Sequence, residues 1–456
     1  MVNILSSVLR LIFSCISAFD ILHTRVRKEQ QFMKSFEVFT GMRNIQINLE
    51  DKNYLFFAEH EEYVPPLSQD DLIEQALDNP IGDASLDSIP EGAKVLIVID
   101  DATRPTPTKL ILSHLMKRLE ARTTDLAFIT APGTHRPLTD AELEMKLGTE
   151  YLNKYPVFNI NYRTAEDYEY IGDSDMGTPL HIHKAVLAAD YKIAVGNIAP
   201  HNVVGWGGGA KILMPGVSGE LTTSTTHLIG SHFPLQNIFG NIDCEMRKEV
   251  DSIGKRIGLD FILNTVLDAE GGILKLFCGH FLDAHRAGVE FAKQTLCPAI
   301  PDLADIVIVS AYPCNMDYWQ GFKPFGFSMC GVKEGGTIIY ILDPREGFCN
   351  NSPVHKEMLV KYLKSDADTV YKDVEDGKVT DKVGVTNPLC HFQVLNYVKN
   401  VICLTNGLTE EECDLLSFAK AETIEDALKM AFEAQGPDAK VGIIPLGGET
   451  LVRVEK

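Results

Sequence analysis

Six short aliphatic runs recur along the chain, each followed by a polar or glycine-rich loop and then by a segment with helical periodicity. Their hydrophobic residues hardly alternate with polar ones, a pattern typical of strands that are buried on both faces. Such strands form parallel sheets with helices on each side. The pattern predicts an α/β protein with strands at 94–99, 125–130, 191–195, 305–309, 337–342 and 441–445.

The segment after the second aliphatic run predicts a helix. Thr139 and Glu142 have the spacing of a capping box, in which each side chain caps a backbone N–H of the other residue. Gly148 is expected to end this helix, since glycine readily adopts the left-handed conformation found just after helices.

A proline-bounded stretch, PAIPD at 298–302, follows a helical segment at 283–296 and predicts a domain boundary. We expect a first α/β domain at 33–298 and a second at 299–456, with the active site in the cleft between them and the last strand returning to the first domain. Residues 1–32 are expected to be an extension outside the fold. Their apolar run, 2–22, is interrupted by Arg10 and Asp20 and lacks the basic start of a signal peptide.

The formal net charge of −21 argues against binding to nucleic acid or to an anionic membrane, since both need a basic surface. A small anionic substrate stays compatible with it, because a few local cations can reverse the sign inside one pocket. The ten cysteines include no C-x-x-C pair, so neither a zinc ribbon nor a thioredoxin-type site is indicated. We expect reduced thiols and a cytoplasmic location.

Polar motifs follow three of the predicted strands: DDATRPTP at 100–107, APGTHRP at 131–137 and GNIAPH at 196–201. In open α/β sheets, ligands bind beyond the carboxyl ends of the strands. Each motif alone has a structural explanation, such as a braced turn or a helix-capping histidine. Their occurrence at three equivalent ends favours convergence on one binding crevice. The HIH at 181–183 is interpreted instead as a pair of structural histidines in a strand that leads into a helix.

The third motif continues into a glycine-rich loop, GWGGGAK at 205–211, which resembles the phosphate-binding loop GxxxxGK[ST] only superficially. Ala210 replaces the glycine before the lysine, and Ile212 replaces the hydroxyl that would hold magnesium. An ATP-hydrolysing site is therefore not supported, although the loop's N–H groups could cradle another phosphate. No GxGxxG follows a strand, so a Rossmann dinucleotide site is unsupported as well.

Taken together, these motifs resemble those of the lactate racemase family, whose members use a nickel-pincer nucleotide. The resemblance extends over nearly the whole chain from Met33 onward. It rests on DDATRPTP, PGTHRPLT (132–139), HNVVGWGGGAKILMPG (201–216), His227, and YWQGFK (318–323) with Gln320 and Lys323.

The resemblance implies a covalent cofactor bound by the first domain. Lys211 would be joined through a thioamide to a pyridinium-3,5-bisthiocarboxylic acid mononucleotide that carries nickel on two sulfurs and one ring carbon. His227 would supply the fourth ligand, a set that suits Ni(II). Glycines would let the backbone approach the flat cofactor, Asp101 would orient Arg104 or the nucleotide, and Thr106 is a candidate phosphate contact. The cofactor-binding residues expected besides Lys211 are Asp101, Thr106, Gly207, Gly208 and Gly209.

The resemblance also implies the reaction, racemisation or epimerisation at C2 of a lactate-like 2-hydroxy acid by reversible hydride transfer to the cofactor. His135 and His201 would be the acid/base residues, one for each enantiomer, and Arg104 would bind the substrate carboxylate. Gln320 and Lys323 would complete the pocket. Separate enzymes would have to supply the cofactor. An aromatic wall of Trp319, Pro324, Phe325 and Phe327 is expected to favour an apolar substituent over a second carboxylate.

Two other functions stay open at this point. The chain could bind an anionic metabolite or nucleotide without turnover, through the same arginine and glycine loop. It could also be a metal-dependent hydrolase with His135, His201 and His227 as zinc ligands, although it lacks HExxH or any other close ligand pair. A mass increase on Lys211 would separate the racemase from both.

Overall fold

The computed structural model describes residues 33–350 and 352–455, so the extension expected at 1–32 lies outside the described residues. Two six-stranded sheets flanked by helices confirm the α/β class. The strands are β1 (Met33–Phe39), β2 (Asn44–Glu50), β3 (Tyr54–Phe57), β4 (Val95–Asp100), β5 (Leu126–Ala131), β6 (Val157–Phe158), β7 (Tyr168–Asp173), β8 (Pro179–His183), β9 (Tyr191–Asn197), β10 (Pro200–His201), β11 (Gly205–Trp206), β12 (Phe261–Leu267), β13 (Ile273–Gly279), β14 (Ala299–Ile300), β15 (Ala304–Ser310), β16 (Val332–Ile341), β17 (Asn400–Leu404), β18 (Ala419–Ala421), β19 (Val441–Ile444) and β20 (Arg453–Val454). The helices are α1 (Gln69–Asp78), α2 (Thr108–Leu119), α3 (Asp140–Lys154), α4 (Lys184–Leu187), α5 (Glu220–Ser231), α6 (Leu235–Ile238), α7 (Glu245–Ile257), α8 (Asp283–Thr295), α9 (Tyr318–Phe327), α10 (Pro353–Tyr362), α11 (Ala367–Glu375), α12 (Thr386–Tyr397), α13 (Glu410–Leu415) and α14 (Ile424–Gln435).

The first domain is built on a sheet with the order β13-β12-β9-β4-β5-β6. Its neighbouring strands are parallel, except that β12 and β13 are antiparallel. Successive residues of β4 enter two separate cores: Ile97 lies under α1 and α2, and Val98 lies under α7 and α8. Burial on both faces explains why this strand appears in the sequence as an uninterrupted aliphatic run.

The second domain has a parallel sheet with the order β18-β17-β16-β15-β19-β3. All six strands predicted from the aliphatic runs are present in the two sheets. The expected return of the last of these strands to the first domain is wrong, because β19 lies between β15 and β3. Instead, a strand that precedes the first domain in the chain joins the second one: β3 forms an edge of the second sheet.

The hairpin β1–β2 also belongs with the second domain, so the expected boundary of the first domain at residue 33 is wrong. Burial alternates along β2, which exposes one face and buries the other. The buried face packs Val38, Ile47 and Leu49 against Ile306 and Ile308 of the second sheet. Alternation marks strands with one buried face, but it does not say which sheet they cover.

The helix predicted after β5 is present, and Thr139 and Glu142 form its capping box. The expectation that Gly148 ends it is wrong. Gly148 has a φ of +77° and interrupts the helix, which then continues to Lys154. Leu147 and Tyr151, on either side of the interruption, are both in the hydrophobic core, and this packing holds the two halves together.

Two smaller predictions are confirmed. The HIH segment is a strand, β8, that leads into α4, and His183 caps that helix by accepting the N–H of Ala185 at 3.1 Å. Cys278, Cys297 and Cys390 are free thiols. Within residues 33–350 and 352–455, no helix has both the length and the apolar character needed to cross a bilayer.

Candidate active site

A cavity of about 490 Å³ lies where loops at the carboxyl ends of the two sheets meet. The first domain lines it with loops after β4, β5 and β9, which carry Asp101, His135 and His201. The second domain lines it with α9 and with the loops after β15 and β19, which carry Cys314 and Glu449. The three strand-end motifs therefore converge on one crevice in the cleft between the domains.

His135 is held from both sides of its ring. Its Nδ1 lies 3.2 Å from Oδ2 of Asp101, and its Nε2 lies 3.0 Å from Nε2 of Gln320. Because a carboxylate only accepts hydrogen bonds, Nδ1 carries the proton and Nε2 accepts the amide N–H of Gln320. Asp101 is itself fixed by the backbone N–H of Thr103 at 2.7 Å. Nε2 is thus the ring nitrogen whose lone pair can take a proton in the cavity, once a substrate hydroxyl replaces the N–H of Gln320.

Asp101 stays ionised in this environment. Burial acts to raise its pKa, but His135 and Arg104, together with the hydrogen bond from Thr103, outweigh it and hold the pKa well below its usual value. The prediction had Asp101 orienting Arg104 or the nucleotide, whereas its side-chain contact is with His135. A permanent negative charge here fixes the histidine's tautomer.

His201 lies on β10 and lines the same cavity. Its Nδ1 accepts the backbone N–H of Val203 at 3.1 Å, so Nε2 is the ring nitrogen left for a ligand. Burial lowers its pKa well below the usual value, and the neighbouring Lys211 and Arg104 lower it further. His201 is therefore neutral in the empty cavity and would gain basicity when an anion neutralises these cations.

Four cations line the cavity without an ion-pair partner among the described residues: Arg104, Lys211, Lys323 and Arg345. Burial, with Arg104 second, lowers the pKa of Lys211 to about 7. Burial is also the main cause of the lowered pKa of Lys323. Unpaired, mutually repelling cations make an electrostatic site for an anion.

The glycine loop is shaped by residues behind it. Gly208 and Gly209 have φ values of +78° and +58°, a region that favours glycine. Asn264 accepts the N–H of Gly209 at 2.7 Å, Arg247 donates to the carbonyl of Gly208 at 3.1 Å, and His285 binds the carbonyl of Gly207 at 2.8 Å. Gly207 and Gly208 line the cavity, whereas Gly209 faces the buried side of the loop.

His227 projects from α5 into the cavity wall next to Thr226. Its Nδ1 donates to the carbonyl of Thr223 at 2.7 Å, one turn back along the helix. That bond fixes the tautomer and leaves Nε2 as a bare lone pair, which is the form that binds metals. Burial lowers its pKa to about 4, so the ring is neutral near neutral pH.

Thr106 does not reach the site. Its hydroxyl donates to Asp100, and the side chain is 4% exposed and outside the cavity lining. Lys146 binds the other oxygen of Asp100 at 2.7 Å, which completes a buried network beneath the loop. The role expected for Thr106 as a phosphate contact is therefore not supported, because this network already uses its hydrogen.

The expected aromatic wall is only partly present. Trp319 lines the cavity, together with Phe322, which the sequence prediction did not include. Phe325 and Phe327 are fully buried in the core, and Pro324 lies inside α9. Other lining residues that sequence reasoning missed are Cys314, Arg345, Thr386, Asn387 and Glu449.

A zinc site made of His135, His201 and His227 is disfavoured by the geometry. Among the described residues, the only group of three potential ligands with atoms within 4.8 Å of one another is Asp83, His280 and Asp283. That group lies outside the cavity lining.

Comparisons with known proteins identify the family of this chain. The lactate racemase N-terminal domain model matches residues 40–234, and the C-terminal domain model matches residues 300–452. The lactate racemase of Thermoanaerobacterium thermosaccharolyticum is 26% identical over 92% of this chain and all of its own length. That of Lactiplantibacillus plantarum is 27% identical over 90% of this chain and 98% of its own length.

Solved structures show the same fold. The lactate racemase apoprotein from T. thermosaccharolyticum superposes with a TM-score of 0.82 at 26% identity, covering 92% of this chain and all of that one. A Thermotoga maritima protein shares the fold with a TM-score of 0.66 at 20% identity, over 86% of this chain and all of that one. The chain belongs to the lactate racemase family and is an isomerase.

Proposed function

We propose that the protein inverts the configuration at C2 of a 2-hydroxy acid, as a racemase or an epimerase. The observation that carries this proposal is the orientation of His135. Asp101 and Gln320 hold its Nε2 in a cavity that also contains His201 and four cations without ion-pair partners among the described residues. A base beside an anion site is what a reaction at the carbon next to a carboxylate requires.

The residues present fit a nickel-pincer nucleotide attached at Lys211. The amine of Lys211 makes no hydrogen bond to the described residues, and its pKa of about 7 keeps much of it neutral, as formation of a thioamide requires. Nε2 of His227 is free to bind a metal. Gly207 and Gly208 present backbone without side chains to the same cavity. When bound, this group would accept the C2 hydride and return it.

The protein's own residues would bind the substrate and move its proton. Arg104, with Lys323, would bind the carboxylate, because both are unpaired and line the cavity. His135 would take the proton of the C2 hydroxyl on Nε2, while Asp101 stabilises the resulting imidazolium. His201 would serve the opposite enantiomer from its own position in the wall, and Gln320 would keep the ring of His135 in place.

Activity requires the enzymes that make the cofactor, so the test uses protein produced together with them. Single enantiomers of 2-hydroxy acids are incubated with the protein in D₂O, and the products are resolved by chiral chromatography. We expect inversion with the C2 hydrogen retained, because a hydride held on a cofactor does not exchange with solvent. Inversion with deuterium at C2 would indicate proton abstraction and would overturn the hydride mechanism.

Variants of the two histidines test their assignment. His135→Asn and His201→Asn should each abolish most of the inversion. His280→Asn, a histidine outside the cavity lining, is the matched control and should behave like wild type. If protein with a fully modified Lys211 binds 2-hydroxy acids but inverts none of them, the alternative of a binding protein without turnover would replace this proposal.

A further inference from the structure

The first turn of α12, formed by Thr386 and Asn387, lines the cavity from the second domain and has no role in the reaction described above. Helix α12 packs against α9, which carries Gln320 and Lys323, and against α5, which carries His227. The glycine loop, in contrast, packs on β4, β9 and α7 of the first domain. The first turn of α12 therefore lies on the second-domain wall of the cavity, with Gln320 and Lys323.

Asn387 is a buried polar side chain that lacks a partner. It is 7% exposed, and its Oδ1 is buried without a hydrogen bond to the described residues. Its amide nitrogen makes no hydrogen bond to them either. Buried amides are almost always hydrogen-bonded in folded proteins. Oδ1 is closed off from the cavity, but Asn387 lines it, so the unpaired amide N–H is the group that can donate to a bound molecule.

Thr386 adds the complementary half of a site. It is 8% exposed, and its hydroxyl donates to the carbonyl of Val383 at 2.7 Å. The hydrogen is used in that bond, so the oxygen presents only lone pairs to the cavity. The turn thus offers an acceptor on Thr386 and a donor on Asn387.

This combination matches a hydroxyl group better than other substituents. A hydroxyl can donate to Thr386 and accept from Asn387 at once. A methyl group would leave both side chains unpaired, which is costly in a buried site. A carboxylate has no hydrogen to donate to Thr386, and neither residue of this turn is a cation.

The neighbouring aromatic surface is compatible with a short hydroxylated chain. Trp319 lines the cavity, and its ring stacks on His355 with centroids 4.3 Å apart and planes inclined by 14°. One face of the indole is thus covered by His355, and the ring is held rigidly for contact with a ligand. Phe322 lines the cavity beside it, whereas Phe325 and Phe327 are buried in the core, so the aromatic surface is small.

We propose that the first turn of α12 recognises a hydroxyl on the carbon chain beyond C2, and that the preferred substrates are polyhydroxylated 2-hydroxy acids rather than lactate. The inference rests on the proposed function and names the substrate class of the same site. It replaces the apolar substituent expected from the sequence. In acids of four or more carbons that carry a hydroxyl on C3, C3 is a further stereocentre, so the reaction on them is epimerisation.

Glycerate and lactate provide a matched pair, because they differ only by a hydroxyl on C3. With cofactor-loaded wild type, kcat/KM for glycerate should exceed that for lactate by roughly tenfold or more. Asn387→Leu keeps the approximate size but removes both polar atoms, and should lower the glycerate-to-lactate ratio by roughly tenfold. Thr386→Val removes the acceptor, together with the hydroxyl's bond to the carbonyl of Val383, and should lower the ratio in the same direction; it serves if the first variant does not fold.

Binding gives a readout that does not depend on turnover. Quenching of the tryptophan fluorescence, to which Trp206 and Trp319 both contribute, should give tighter binding of glycerate than of lactate, and the difference should shrink in both variants. Wild type that prefers lactate, or malate, would overturn the inference while leaving inversion at C2 intact. A loss of nickel or of the Lys211 modification in Asn387→Leu would assign this amide to the cofactor and also overturn it. If cofactor-loaded wild-type protein inverted no 2-hydroxy acid, that result would overturn the proposed function itself.

Discussion

Replacing Asp101 by asparagine should impair proton transfer by His135 while leaving the fold and the cofactor site intact. The side chain is buried, and its carboxylate accepts the Nδ1–H of His135 at 3.2 Å and the N–H of Thr103 at 2.7 Å. An amide of the same shape can keep one acceptor but not the charge. It can also present N–H to Nδ1, which would move the imidazole proton to Nε2 and remove the base from the cavity.

The size of the effect follows from the lost bond. A hydrogen bond to a charged group contributes about 1.5–3 kcal/mol, and each 1.4 kcal/mol corresponds to a factor of ten, which gives a fall in kcat/KM of roughly 10- to 140-fold. For a substrate with one stereocentre the equilibrium constant is unity, so kcat/KM must fall equally in both directions. The fall should appear mainly in kcat, because Arg104 and Lys323 still bind the carboxylate.

The assay is chiral chromatography of the Asp101→Asn holoenzyme against wild type, with modification of Lys211 confirmed by mass in both. Asp70→Asn is the control, since Asp70 also pairs with a histidine, His114 at 2.8 Å, but lies outside the cavity lining. Activity within twofold of wild type at equal cofactor content would refute the idea that Asp101 sets the state of His135.

Three further predictions concern the loop and the fold. The pKa of Lys211, lowered to about 7 mainly by burial, makes the amine nucleophilic above that pH, so acylation of Lys211 in cofactor-free protein should be half-maximal near pH 7; a midpoint near pH 10 would contradict it. Gly209→Ala should lower the free energy of unfolding in urea by more than Gly92→Ala. Both glycines have positive φ, but only at Gly209 would a Cβ lie 2.8 Å from Arg247, and equal losses would argue against a packing cost. Thr139→Ala should cost about 1 kcal/mol of stability with little change in activity, and an unchanged unfolding curve would mean that the capping box contributes nothing.

Most of the fold could be predicted because a strand that is buried on both faces is aliphatic along its whole length. Strand β4 is aliphatic throughout since one side of it faces α1 and α2 and the other faces α7 and α8. The hairpin β1–β2 alternates instead, which marks strands but not their partner sheet. The assignment of residues 33–57 to the second domain therefore depended on long-range pairing that no local pattern records.

In the candidate site, too, the sequence revealed the residues that stand in local motifs but not the distant residues that position them. His135, His201 and Lys211 stand in local motifs at strand ends, and the topology brings those ends together. The side chains that shape the glycine loop come from distant segments and were missed, although Asn264 is a polar residue in the apolar strand FILNTVL and could have been noticed. The position of Thr106 depended on its pairing with Asp100, which spacing cannot reveal.

The most direct test is the intact mass and nickel content of the protein produced with the cofactor-making enzymes, with the L. plantarum lactate racemase loaded in the same host as a positive control. We expect a nucleotide-sized mass increase that maps to Lys211 and stoichiometric nickel. Both should be absent from Lys211→Arg, which keeps the charge but cannot form the same thioamide. An unmodified, nickel-free chain beside a loaded control would contradict the proposal and mean that these motifs serve binding or another metal.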